Sequence, residues 1–238
     1  MFMKRHQLPI FVLFVISILL SGCKSESPTD GQEDTNPPQA KDTTDLPSQT
    51  DTAGIDEDYN DTQRLIWQKP EVVINLLGDL DDKTVADIGA GTGFFSLRLA
   101  QKAKKVIAVD IDPRFIQYLD SVKIWELQEV YQSRLESRLA IPRDPKLKAG
   151  EADIAIIVNT YIYIPDRVNY LKNLMNGLSE NGQLLIVDFK KKRTEVGPPQ
   201  SIRIPLYQVE EELYKAGYKN VRTYDTILDY QYILIAQK

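Results

Sequence analysis

Beyond Tyr59 the chain alternates short apolar runs with stretches whose apolar residues recur every three or four positions. TVADI (84–88) reads as a buried strand, KVIAVD (105–110) as a second, and residues 134–140 as a weakly patterned third. DIAIIVN (153–159) is apolar on both faces, as a central parallel strand must be. A turn at Asn181-Gly182 then leads into QLLIVDF (183–189). Between these runs the helical spacing is met by Val72, Val73, Leu76 and Leu77 behind Pro70, and by Phe94, Leu97 and Leu99 over 93–102. It recurs in Phe115, Ile116 and Leu119 behind Pro113, through Leu127, and in Val168, Leu171 and Leu174 over 166–178. VEEELYKAGY (209–218) makes a last helix ending at Gly217. The final β-rich runs, NVRTYDT and YQYILIAQ, are separated by Ile227, Leu228 and Asp229 alone, which permits a hairpin but no crossover helix. The pattern predicts an α/β fold, a doubly wound Rossmann-like sheet closed by an antiparallel pair.

The N-terminus reads differently. Lys4 and Arg5 precede an apolar run from Leu8 to Leu20, too short for a membrane span and of the length of a secretory core. Leu20-Ser21-Gly22-Cys23 resembles the bacterial lipobox, which implies a signal peptide over 1–22, lipidation of Cys23, and a membrane-anchored lipoprotein. Lys24 after the cysteine favours an outer-membrane address or the periplasmic face of a membrane. Residues 23–58 hold ten carboxylates against two lysines and few apolar side chains, the composition of a disordered acidic tether. As a flexible coil it would span roughly 30 Å. The remaining domain, 59–238, carries 25 Lys and Arg against 24 Asp and Glu, a balance that gives no electrostatic case for nucleic acid.

In a doubly wound sheet the first strand-to-helix turn floors the ligand crevice, and here it is Gly89-Ala90-Gly91-Thr92-Gly93. A dinucleotide fingerprint would place its third glycine at position 94, where this chain has Phe94, so the spacing argues against a pyrophosphate. Asp110, ending the second strand, is placed to accept hydrogen bonds from two ribose hydroxyls; Asp112, before Pro113, suits a helix cap.

VADIGAGTG followed by VIAVDIDP resembles the glycine motif and acidic motif of the class I S-adenosylmethionine-dependent methyltransferases. The resemblance runs from about Arg64 to Lys238 and implies seven strands in the order 3-2-1-4-5-7-6, with strand 7 antiparallel. It further implies that Gly89, Ala90, Gly91 and Gly93 line the methionine and ribose of S-adenosylmethionine, with Asp87 near its amino group. Asp110 would hold the ribose, Ile111 would border the adenine, and the loop Ala140–Asp144 would complete the adenine pocket. RLIWQKPEVVI, NTYIYIPDRVNYLKNL and GQLLIVDFK look like the small-molecule members, which implies a small-molecule methyl acceptor.

Methyl transfer from a sulfonium asks mainly for alignment, with a base needed only where the nucleophile must lose a proton. Cys23 and His6 are the only residues of their kinds and neither lies in the domain, so the candidates after the fourth strand are Asn159, Tyr161 and Tyr163. Asn159-Thr160-Tyr161 lacks both prolines of the motif used on amino nitrogens, which argues against nucleobase methylation. No metal is expected, since Asn159 and Asp188 have no evident third ligand. Lys190 to Arg193 would bind an anion or form a solvated loop, and Trp67 would close over the cofactor or pack the leading helix. The competing reading is a lipid-anchored binding module that keeps the fold without turnover.

Overall fold

The computed structural model describes residues 62–238. The signal peptide reading of 1–22, Cys23, and the tether reading of 23–58 lie outside the described residues. Seven strands form one sheet: β1 (Thr84–Ile88), β2 (Lys105–Asp110), β3 (Leu135–Leu139), β4 (Ala152–Val158), β5 (Leu178–Phe189), β6 (Lys219–Tyr224) and β7 (Gln231–Gln237). Their order is β3-β2-β1-β4-β5-β7-β6, as expected, with β7 antiparallel to both of its neighbours.

Successive residues of each strand serve opposite faces. Ala86 and Ile88 of β1 join Leu171, Leu174, Val209 and Leu213 on one face, where helices α5 (Arg167–Gly177) and α6 (Leu206–Ala216) pack. Val85, Ile154, Ile156 and Ile233 join Val73, Leu99 and Leu119 on the other, under α2 (Pro70–Asn75), α3 (Ser96–Ala100) and α4 (Pro113–Glu126). Asp112 caps α4, its side chain accepting from the Arg114 N–H at 2.9 Å. No helix of the described residues is long and apolar enough to cross a membrane.

The structure departs from the sequence pattern at three places. The helix expected over 93–102 is regular only over α3, because Gly93, at φ +83°, keeps the chain in turns up to Phe95. Between β4 and β5 the pairing jumps from Ala152 with Leu178 to Ile154 with Gln183, so the expected turn at Asn181-Gly182 is an irregularity inside a longer strand. A short helix, α1 (Thr62–Gln68), precedes Pro70. Pro70 has no N–H to continue α1, and Lys69 turns the chain at φ +47° before α2 starts. Periodicity misses α1 because its exposed residues include Leu65 and Ile66, while Arg64, Trp67 and Gln68 face the protein.

Candidate active site

A cavity of about 740 Å³ opens over the carboxyl ends of β1, β2, β4 and β5. Its floor is the glycine turn. Gly89 (φ +73°) can only be glycine, since a Cβ there would collide with the Thr160 side chain, and Gly93 brings the turn against Leu119. Asp110 clasps the turn to β2: its Oδ2 accepts from the Gly91 N–H at 2.9 Å and its Oδ1 from the Asp112 N–H at 3.0 Å. Ile111, Phe115, Ala140, Ile141 and Pro142 continue this wall as an apolar slot. Ile141 and Asp144 pair to fold the loop after β3 into place.

Gly89, Ala90, Gly91, Asp110 and Ile111 all line the cavity, as do Ala140–Pro142. Gly93 and Asp87 do not. Gly93 acts one step removed, by allowing the turn into α3. Asp87 is sealed behind the turn, where its Oδ2 accepts from the Ser96 hydroxyl at 2.6 Å. Burial pushes its carboxyl up to about 6, against the Ser96 hydrogen bond and the field of Arg64. A carboxyl whose folded-state pKa is raised binds its proton more tightly folded than unfolded, so its stabilising contribution is full below about pH 4 and gone above about pH 6. Asp87→Asn should therefore gain on the wild type in unfolding free energy between about pH 4 and pH 7, by up to about 3 kcal/mol. Denaturant titrations at the two pH values measure this, and a difference that stays flat refutes it.

Beyond the cofactor side, the cavity is walled by Arg64 and Trp67 of α1, by Asn159, Thr160, Tyr163 and Ile164 after β4, and by Phe189 with Val196–Pro198 after β5. Asn159 turns the chain out of β4 at φ +58°. Its Oδ1 accepts from Gln231 Nε2 and, at 3.2 Å, from Gln68 Nε2. Gln68 also donates to Gln231 Oε1 at 2.9 Å and accepts from Arg64 Nε at 2.6 Å. This chain of amides docks α1 across the ends of β4 and β7, and both glutamines are fully buried. An amide is not a base, so Asn159 positions groups and exchanges no proton. Phe94, standing where a dinucleotide site has glycine, is stacked by Arg64 at 4.0 Å and Arg98 at 4.2 Å.

Tyr161 is corrected as a catalytic candidate. It is fully buried away from the cavity, and its hydroxyl donates to Glu212 Oε2 at 2.7 Å. Arg167 grips the same carboxylate twice at 2.7 Å, and Gln208 donates to it at 3.0 Å. Burial, followed by the Glu212 hydrogen bond, pushes the Tyr161 hydroxyl far above its ordinary range, so it serves as neither acid nor base. Tyr161→Phe should cost about 2 kcal/mol of stability, a hydrogen bond to a charged acceptor, and leave methyl transfer unchanged; loss of turnover in a folded variant would restore it as a catalytic group. Tyr163, two residues on, does reach the cavity and is 65% exposed.

Asn159 and Asp188 do not converge as ligands. Asp188 turns inward, accepting from the backbone N–H groups of Phe189 at 2.7 Å and Ile162 at 3.3 Å, and burial raises its carboxyl to about 6. The loop carrying the basic run is organised by Arg203, whose guanidinium donates to the carbonyls of Lys190, Lys192, Val196 and Pro198 and packs over Phe189. Lys190 is held by the carbonyls of Asp225 and Leu228, whereas Lys191, Lys192 and Arg193 are exposed. Trp67 lies 5.5 Å from Phe189, centroid to centroid. It packs α1 against the end of β5 and lines the cavity.

These residues fit S-adenosylmethionine. The glycine turn allows close approach, a carboxylate sits where a ribose diol would lie, an apolar slot matches adenine, and the volume leaves room for a second molecule.

Residues 86–184 match the family described as methyltransferase domain. Over 73 residues the chain is 48% identical to the ribosomal protein L11 methyltransferase of Colwellia psychrerythraea, covering 30% of this chain and 23% of that protein. Over 127 residues it is 27% identical to the tRNA U34 carboxymethyltransferase of Aliarcobacter butzleri, covering 52% and 40%. The chain thus spans less than half the length of these curated relatives. Among solved structures it resembles a SAM-dependent methyltransferase from Aquifex aeolicus, with a TM-score of 0.67, 24% identity, and coverage of 74% of this chain and 93% of that one. Residues 62–238 thus have the seven-stranded α/β fold of the S-adenosylmethionine-dependent methyltransferases, and residues 86–184 carry the match to the methyltransferase domain family.

Proposed function

We propose that the domain transfers a methyl group from S-adenosylmethionine to a small molecule by in-line displacement. One observation carries this reading: the glycine turn and Asp110 share a single chamber with walls contributed by α1 and by the loop after β5. Gly89–Gly91 and Asp110 would bind the cofactor's methionine and ribose, Ile111 and Ala140–Pro142 its adenine. The bound cofactor supplies a methyl already activated on a sulfonium. The chain's own residues seat the acceptor in line with it, exclude water beneath α1, and hold the acceptor against Asn159 and Tyr163.

The small-molecule acceptor is supported by the roofing of the chamber and by the near-neutral charge of the domain. The names of the curated relatives point to macromolecules, a ribosomal protein and a tRNA. Yet the family match stops at residue 184, before the loop that walls the acceptor side, and starts after α1. Calorimetry of the full chain with S-adenosylmethionine and S-adenosylhomocysteine tests the reading. Micromolar binding of both is expected; a folded chain that binds neither overturns it.

LSGC supports a second element of the proposal, a lipid anchor at Cys23 with the domain held off an outer membrane by the acidic segment. Palmitate labelling that persists in Cys23→Ala would refute it. The same motif favours the competing reading, a lipid-anchored binding module without turnover, because the cofactor is made in the cytosol. Such a module would keep its ligand when Asp110 is replaced, whereas an enzyme would lose activity.

A further inference from the structure

Four tyrosines among the described residues are buried: Tyr161, Tyr170, Tyr218 and Tyr232. The packed fold gives three of their hydroxyls a partner. Tyr161 donates to Glu212 Oε2 at 2.7 Å, Tyr218 to the Leu171 carbonyl at 3.2 Å, and Tyr232 to the Ile204 carbonyl at 3.0 Å. Tyr170 is 5% exposed, and its hydroxyl has no hydrogen-bond partner among the described residues. Of the four, it is also the one that lines the chamber. Among the described residues, the fully enclosed side-chain atom without a partner is Trp67 Nε1, so the Tyr170 hydroxyl keeps an opening onto the chamber. A buried polar group left unpaired is destabilising, and native folds rarely keep one without a use for it.

The position of Tyr170 says which part of the chamber it serves. It lies in the first turn of α5, and three residues on Asn173 donates to the Arg143 carbonyl at 3.3 Å. Residues three apart share a helix face, so Tyr170 stands beside the loop 140–144. Its neighbours in the chamber wall there are Ala140, Ile141, Pro142 and Ile164, the apolar slot assigned to adenine. The carboxylates nearby are engaged: Asp112 holds Arg114, and Asp144 accepts from the Lys146 N–H at 2.8 Å. Burial, followed by the field of Asp144, pushes the Tyr170 hydroxyl well above its ordinary range. It therefore keeps its proton at neutral pH and stands as a donor.

We propose that Tyr170 reads the base of the cofactor, its hydroxyl donating a hydrogen bond to a ring nitrogen of adenine. The proposal rests on the S-adenosylmethionine reading of the chamber and adds to it a residue from α5, outside the glycine turn and the acidic end of β2. Apolar walls grip the faces of any flat ring of the right size. One buried donor in the slot discriminates, because a ring with no acceptor there leaves the hydroxyl unpaired.

The test is calorimetry of the full chain and of Tyr170→Phe with S-adenosylhomocysteine and with its 1-deaza, 3-deaza and 7-deaza analogues, each of which replaces one ring nitrogen by C–H. Tyr170→Phe keeps the ring that packs the slot and breaks no hydrogen bond within the protein, so the melting temperature of the ligand-free variant should not fall. S-adenosylhomocysteine should bind it about tenfold more weakly than the wild type. For one of the three analogues the wild type should lose about the same factor, and Tyr170→Phe should then cost nothing further. Unchanged affinity for S-adenosylhomocysteine in Tyr170→Phe overturns the proposal, since solvent would then serve the hydroxyl. An equal loss with S-adenosylhomocysteine and all three analogues overturns it too, because no ring nitrogen would be coupled to the hydroxyl. A folded wild type that binds no S-adenosylhomocysteine overturns the cofactor reading itself, so the two failures are distinguishable.

Discussion

Asp110→Asn will weaken S-adenosylmethionine binding about 100-fold, the loss of roughly 2.7 kcal/mol expected when charge-assisted hydrogen bonds to a ribose diol become neutral ones. The carboxylate is nearly buried, at 8% exposure, and serves two backbone donors, Gly91 and Asp112, on the protein side. It therefore presents its remaining lone pairs in a fixed direction. The two donors use different oxygens, so asparagine can accept from only one of them and the variant loses one turn contact as well, a cost the fold should survive. Calorimetry gives the affinity and a thermal melt reports the fold. Unchanged affinity in a folded variant would remove Asp110 from the cofactor site.

The second large effect is expected at Arg203, which touches no reacting group. Arg203 as a whole is 4% exposed, and its guanidinium satisfies four carbonyls of the loop 190–198. Arg203→Met would leave those acceptors without their donor, at a cost of about 3–5 kcal/mol. The same change would release Val196–Pro198 from the acceptor wall. Methyl transfer should fall more than 100-fold while cofactor affinity, set on the far side of the chamber, stays within about threefold; these magnitudes correspond to losing acceptor alignment alone. Equal losses of transfer and of cofactor affinity would show that the loop supports the whole domain instead of the acceptor side.

Much of the cofactor side was legible from local sequence. A glycine turn needs positive φ, and Gly89, Gly91 and Gly93 all have it. The acidic end of β2 and the apolar Ile111 follow at fixed spacing, because a strand and a turn have fixed rise and direction. Even there, Asp87 shows the limit. Period-2 alternation assigns it a face of β1 but not a partner, and the partner, Ser96, enters from α3.

The acceptor side was legible only in part: Asn159, Tyr163 and Trp67 line it, while Arg64, Phe189 and Val196–Pro198 went unread because the contacts that bring them in join residues far apart in the chain. Gln68 and Gln231 meet across 163 positions, and Tyr161 and Glu212 across 51. The weak signals were polar residues in apolar settings: Gln231 opens a strand that is buried from its first residue, and Gln68 sits inward on a helix that exposes Leu65 and Ile66. Tyr161 and Tyr163 stand two residues apart in one short 3-10 turn, yet one is sealed on Glu212 and the other faces the chamber. Spacing alone could not divide them.

By itself, then, the sequence determined the order of strands and helices, the glycine turn, Asp110 and the ligand class those imply, since each depends on backbone geometry that a few consecutive residues dictate. Tertiary structure alone decided that α1 roofs the chamber, that Arg203 braces its far wall, and that Tyr163 but not Tyr161 faces the chamber. The physical reason is that buried hydrogen bonds are satisfied by whichever donors the packed sheet and helices bring together, and that pairing is written in no single stretch of chain.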